Sequence, residues 1–288
     1  MARLAVIGVG RIGGEVAYLA TSLGIVDELV LYDSAPDLLR AQVLDLEHTG
    51  LQIPVSTDTT EIRDADICIF SAGIPRNPSV KTRADLLQAN LSATRDGIAL
   101  LTGFSGILVT VTNPMDANNF ALCQKSGIGR ERCIGFGGQL DSARFGVSLR
   151  NRGITGFPFV LGEHGDHQVP LFSSLASRVD TTQREEILAE LRGASMEVIR
   201  GKGGTVFGPA LHLVNLTRII LRDARELICC SAVLEGEYGL TGCSLGIPAR
   251  VGRDGIRNIE VWDLDDWETE KMDEAGRFVQ NLCVRAVS

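Results

Sequence analysis

The stretch Arg3-Leu4-Ala5-Val6-Ile7-Gly8-Val9-Gly10-Arg11-Ile12-Gly13 decides the fold. Arg3 to Ile7 is a near-continuous apolar run, the mark of a strand buried on both faces of a parallel sheet. It stops at glycines spaced GxGxxG, and behind them Val16, Ala17, Leu19, Ala20 and Leu23 recur at helical spacing. A second apolar run, Glu28 to Tyr32, ends in Asp33, twenty residues past Gly13. The glycines have separate jobs. Gly8 makes a tight turn, Gly10 lets the backbone approach a pyrophosphate, and Gly13 lets helix pack close on strand. The helix N-terminus then faces the phosphates. Asp33 can accept hydrogen bonds from both ribose hydroxyls. With Ser34, Ala35 and Pro36 after it in place of Arg or Lys, it repels a 2′-phosphate. The reading is a dinucleotide site for NAD rather than NADP.

The alternation of strand and helix continues. Residues 65–71 and 106–111 are further buried-strand runs, and residues 133–136 a last short one. Between the first two lies the loop Ala72 to Arg83, with two prolines and three basic groups, on the ligand side of such a sheet. Rigid Pro and exposed Arg suit a mobile lid over an anion as well as they suit a wet surface. Thr82 or a near neighbour caps a helix running to about Gly103. Thr112-Asn113-Pro114 follows the next strand, with Pro114 suited to a helix's first turn and Asn113 able to offer an amide.

From Gly135 to Asp166 the chain reads GFGGQLDSARF, then the rest of a helix and a turn, then FPFVLG and Glu163-His164-Gly165-Asp166. Asp141 and Arg144, three apart, share one helix face. His164 follows a strand-like run, FPFVL, and so sits at a strand end. A carboxylate beside an imidazole fixes its tautomer and favours its charged form, and an arginine grips an anionic substrate's carboxylate. Beyond Asp166 the layout changes. Helices are expected at 184–200 and 209–221, β runs near 227–235, 243–251 and 256–262, a hairpin turn at 252–255, and a terminal helix after Asp263. The fold class is α/β: a Rossmann-type doubly wound parallel sheet (1–142) followed by an α+β substrate domain with antiparallel strands (143–288).

A chain of 288 residues, 44% of them hydrophobic, can bury the core that two such units need. The net charge of -8 argues against nucleic acid or an anionic membrane as partner, so an anionic substrate needs a local arginine cluster. No apolar stretch reaches bilayer length, and with no charged-then-apolar run ahead of RLAVIG export is not expected. Seven scattered cysteines without CxxC are expected reduced, in the cytoplasm. No His/Cys/Asp cluster has ligand spacing, so no metal is expected.

Taken together, GVGRIG with Asp33, AGIPRNP, VTNPMD, GFGGQLDSARF, LGEHGD and KGGTVFGPA resemble, in family order, the lactate/malate dehydrogenases. The likeness is strongest to the lactate-dehydrogenase-type malate dehydrogenases of archaea and bacteria. The resemblance implies that His164 carries the proton at the substrate's C2 oxygen, that Asp141 pairs with it, and that Arg144 binds the C1 carboxylate. It implies that Arg83 closes over the substrate, Arg76 faces the C3 substituent, Asn113 supports nicotinamide and substrate, and Thr205 lines the pocket. The cofactor set it implies is Gly8, Gly10, Arg11, Ile12, Gly13, Asp33, Ala72, Gly73, Asn90, Val111 and Asn113. It also implies a homo-oligomer, dimer or tetramer.

The substrate expectation turns on Arg76. The family's lactate enzymes resemble this loop but place an uncharged residue there, whereas a guanidinium can bind the second carboxylate of malate or oxaloacetate. The alternatives are an L-lactate or other 2-hydroxy-acid dehydrogenase, an NAD-dependent glycosidase needing a metal site, and a silent dinucleotide sensor. His48 and His212 are read as structural, and His167 as a bystander.

Overall fold

The computed structural model describes residues 1–74 and 82–288. β1 (Arg3–Ile7) is buried from Leu4 onward, and α1 (Arg11–Ser22) turns Val16, Ala17 and Ala20 inward. There follow β2 (Glu28–Tyr32), α2 (Pro36–His48), β3 (Val55–Ser56), β4 (Ile67–Phe70), α3 (Arg83–Leu100), β5 (Ile107–Thr110), α4 (Met115–Ser126) and β6 (Cys133–Gly135). Thr82 caps α3 as expected. Its side chain accepts from Asp85 N while the Asp85 carboxylate accepts from Thr82 N, so two otherwise unpaired donors are satisfied at once.

α5 (Gly138–Asn151) spans position 142/143 and carries the chain into the second half. There lie β7 (Val160–Gly162), β8 (Gln168–Pro170), α6 (Thr181–Lys202), α7 (Phe207–Leu221), β9 (Glu226–Glu235), β10 (Thr241–Gly252), β11 (Gly255–Ile259) and α8 (Asp266–Val287).

The strands order as β3-β2-β1-β4-β5-β6, all parallel, and continue as β9-β10-β7-β8, with β11 on the free part of β10. This is the doubly wound sheet followed by antiparallel strands. Ile7 pairs with both Tyr32 and Phe70, Phe70 with Thr110, and Thr110 with Gly135, so five strands end level. The order reverses between β1 and β4, and the crevice beyond those strand ends is where such sheets take ligands. One antiparallel pairing, Gly135 with Ser231, joins β6 to β9.

Four elements depart from the sequence expectation. β7 starts only at Val160, because Phe157 is exposed and Pro158 cannot donate to a ladder. α6 starts earlier, at Thr181, because Asp180 and Gln183 form a capping box, and it ends on left-handed Gly203. α3 stops at Leu100, short of Gly103. Pro114 stands one residue ahead of α4 rather than inside it.

Gly13 fixes the α1–β1 approach: a Cβ there would lie 2.0 Å from Gly8 O and 2.9 Å from Val6. Gly13→Ala should therefore push α1 off the sheet, lowering the melting temperature and weakening NADH binding at least tenfold. Fluorescence titration and a thermal melt check both.

Candidate active site

Three segments converge on one imidazole. α5 delivers Asp141 in its first turn, directly beyond the end of β6. The β7–β8 hairpin delivers His164 just after β7, and α3 delivers Arg83 as its first residue. His164 Nδ1 lies 2.6 Å from Asp141 Oδ2, and Arg144 Nη1 donates to Asp141 Oδ1 at 3.0 Å. Asp141 is 2% exposed, so one buried carboxylate serves two cationic partners. Glycine at 137 makes the approach possible, since a Cβ there would sit 2.5 Å from the His164 ring. Burial works against the charged imidazole, but the Asp141 charge and hydrogen bond outweigh it, so His164 binds its proton more tightly than an ordinary histidine.

Arg83 is docked on the same loop. Its Nη2 donates to His164 O at 2.9 Å, its Nη1 to Asn113 Oδ1 at 3.2 Å, and its Nε lies 3.2 Å from Glu163 Oε1. Glu163 is buried. Burial opposes its charge, yet the His167 bond and the Arg83 charge prevail and hold the carboxyl below the usual range. His167 donates its backbone N–H to Glu163 Oε2 at 2.9 Å and stacks on Phe278 of α8 at 4.2 Å, so it braces this loop. Sequence reasoning gave Glu163 and Gly137 no role. Position next to His164 was the one available signal for Glu163.

The crevice side holds the expected dinucleotide set. Gly8 has φ +93°, and a Cβ on it would meet Ala72 N at 2.3 Å, so the Ala72–Gly73 turn packs on the glycine turn. Asp33 Oδ2 accepts from Val9 N at 3.0 Å, which ties the acid to that turn. Asn90 spends its amide on backbone, accepting from Ile74 N and donating to Asn113 O, and so shapes the Ala72–Ile74 edge. Val111 N–H is taken by Phe70 O. Arg11 reaches across to Gly203 O, beside the partly buried Thr205 in the turn between α6 and α7. Burial, aided by the Arg144 charge, lowers the titration of His212 on α7 below that of an ordinary histidine. Arg76 lies outside the described residues. Among the described residues no group of His, Cys, Asp and Glu is placed to hold a metal.

These residues fit a dinucleotide. The α1 N-terminus has no side-chain cap, so its N–H groups remain free for phosphate, and the space a Cβ would fill over Gly10 is open. Residues 2–135 match the model of the lactate/malate dehydrogenase NAD-binding domain, and residues 139–282 match that family's alpha/beta C-terminal domain. The chain belongs to the lactate/malate dehydrogenase family. It is an NAD-dependent 2-hydroxy-acid oxidoreductase, and the glycosidase reading is left without support.

Relatives fall on both sides of the family's division. The malate dehydrogenase of Natronomonas pharaonis is 35% identical over 96% of each chain. The L-lactate dehydrogenase of Halalkalibacterium halodurans is 32% identical over 97% of this chain and 95% of its own. Among solved structures, Aeropyrum pernix malate dehydrogenase superposes with a TM-score of 0.90 at 30% identity, covering 99% of this chain and all of its own. Archaeoglobus fulgidus malate dehydrogenase in complex with NADH gives 0.88 at 30% identity with the same coverage.

Replacing Asp141 by Asn keeps the shape but removes the charge holding the imidazolium. The His164 titration, followed by NMR, should fall by one unit or more, on the order of 1.4 kcal/mol. An unmoved titration would show that the Asp141 charge does not set it.

Proposed function

We propose that this dehydrogenase interconverts (S)-malate and oxaloacetate with NAD. The observation that carries the chemistry is the His164–Asp141 pair at 2.6 Å, with Arg144 bonded to the same carboxylate and Arg83 to the backbone of the same histidine. Bound NAD supplies the centre that gives up or accepts hydride. The chain's own residues do the rest. Arg144 keeps N–H groups beyond the one on Asp141, and these grip the C1 carboxylate. Asp141 holds Nδ1 and so leaves Nε2 as the working nitrogen. His164 gives its proton to the C2 oxygen of oxaloacetate, or takes it from the C2 hydroxyl of malate. Arg83, docked beside it, offsets the negative charge that develops on that oxygen and closes the site against water.

Malate is favoured over lactate by Arg76, which offers a charged partner to a second carboxylate. With pyruvate that guanidinium would lose its partner, and a charge-assisted hydrogen bond is worth roughly 1.5–3 kcal/mol, about ten- to hundredfold in rate. The lactate-dehydrogenase relatives at similar identity make pyruvate the competing substrate. The same proposal takes the enzyme to be a cytoplasmic homo-oligomer. All seven cysteines are buried and unbridged, which suits a reducing compartment, and Leu38, Leu44 and Leu51 expose apolar surface on and just after α2. Among the described residues no single helix is long and apolar enough to cross a bilayer.

Recording NADH oxidation with oxaloacetate and then pyruvate tests the reading. Oxaloacetate should win by about a hundredfold in kcat/KM, and Arg76→Gln should narrow that ratio ten- to hundredfold. A wild-type preference for pyruvate would contradict it, and an unchanged ratio in the variant would assign discrimination elsewhere. NADPH in place of NADH should be a poor donor. The pH dependence has a defined sign. Reduction needs charged His164, so its kcat/KM falls as pH rises through the raised value, above the ordinary 6.5, while malate oxidation needs the neutral ring and gains over the same range.

A further inference from the structure

A buried hydrogen-bond chain ends on the backbone of His164 and takes no part in the steps above. Thr110 Oγ1 donates to Asn119 Oδ1 at 2.9 Å, and Asn119 Nδ2 donates to Ser244 Oγ at 2.8 Å. The Ser244 and Ser231 hydroxyls lie 2.8 Å apart, and Ser231 Oγ donates to Asp116 Oδ1 at 2.6 Å. Asp116 Oδ2 then accepts from His164 N at 2.9 Å. All five side chains are buried, and they come from β5, α4, β10 and β9. Asp116, Asp141, His164 and Ser231 also line one small internal void.

The direction of the chain is informative. Ser231 donates its proton to Asp116, so in the Ser231–Ser244 contact Ser244 is the donor, while it accepts from the Asn119 amide. Every donor therefore runs toward the carboxylate, and its other oxygen also meets a donor, the His164 N–H. Both carboxylate oxygens accept in this arrangement, and a protonated acid would have to turn the Ser231 and Ser244 protons the other way. In this direction the network favours the anion.

We propose that Asp116 is a positioning residue for the reaction: a second buried carboxylate, beside Asp141, whose bond to the His164 backbone and whose charge keep the imidazole in place and in its charged form. The inference rests on the reading of His164 as proton carrier. The surrounding groups agree with it. His164 is faced by Asp141 from α5, Arg83 from α3 and Asp116 from α4; the two carboxylates favour the imidazolium and Arg83 opposes it. Asp116 is faced by Glu163, His164 and the thiols of Cys243 on β10 and Cys283 on α8, both kept neutral by burial. Burial, aided by Glu163, pushes Asp116 up to about 6 against the pull of Ser231 and the His164 N–H, so the charge is present at neutral pH and lost on acidification.

Asp116→Asn tests this with little change of shape. The amide oxygen can accept from His164 N, and the NH2 can donate to Ser231 Oγ. Ser231→Ala keeps the carboxyl and removes one donor. In protein labelled with 15N-histidine, His164 is assigned by the signal lost in His164→Gln. Its titration should fall by about one unit in Asp116→Asn and by a smaller step in Ser231→Ala, and the pH profile of oxaloacetate reduction should move with it. If Asp116→Asn does not fold, Ser231→Ala decides. Turnover with an unmoved His164 titration in a folded variant overturns the inference and leaves the dehydrogenase reading standing. A moved titration in a protein that oxidises NADH with no 2-oxo acid overturns the reading and not the coupling.

Discussion

One buried carboxylate, that of Asp141, is the constraint around which this site is built. It is 2% exposed, and the desolvation of an isolated buried charge costs several kcal/mol. It is held by two cationic groups from different stretches of chain, the imidazole of His164 and the guanidinium of Arg144. Each partner orients the other through it. The imidazole is fixed by its tautomer and the guanidinium by a bond that takes one of its five N–H groups. What is left over, one ring nitrogen and the rest of a cationic fork, is what a 2-hydroxy acid needs.

That constraint is met only because the two halves of the chain are joined close to the site. β6 meets β9 through Gly135 and Ser231, and α5 starts three residues past Gly135, carrying Asp141. Ser231 in turn bonds Asp116, which bonds the backbone of His164. At the crevice Arg11, part of the glycine turn, bonds Gly203 from the second half. The cofactor side and the substrate side are thus tied at the strand ends by polar contacts as well as by the apolar packing of α1 on α7. Such ties suit a reaction in which two bound molecules must meet at a fixed distance.

Much of this was legible in the order of residues. The glycine turn, Asp33, the buried parallel strands and the Thr82 cap follow from local rules, where each residue's neighbours in sequence are its neighbours in space. Asp141 and Arg144 share a helix face, so their pairing was legible too. The meeting of Asp141 with His164 could be expected only through resemblance, since twenty-three residues separate them. Least visible were Asp116 and Glu163. Their partners, Ser231 and Arg83, come from strands and helices far along the chain, and nothing in local spacing marks such a contact. β7 is shorter than the apolar run FPFVL suggests, because apolarity alone does not show that Phe157 faces outward.

The central claim is that a charged His164, backed by buried acid, receives the substrate anion. Calorimetric proton uptake measures it most directly. A non-reducible dicarboxylate is bound to the enzyme–NADH complex in buffers of different ionisation enthalpy, at a pH above the His164 titration of that complex. The account predicts uptake approaching one proton per site. Binding of equal strength with no proton taken up would contradict it.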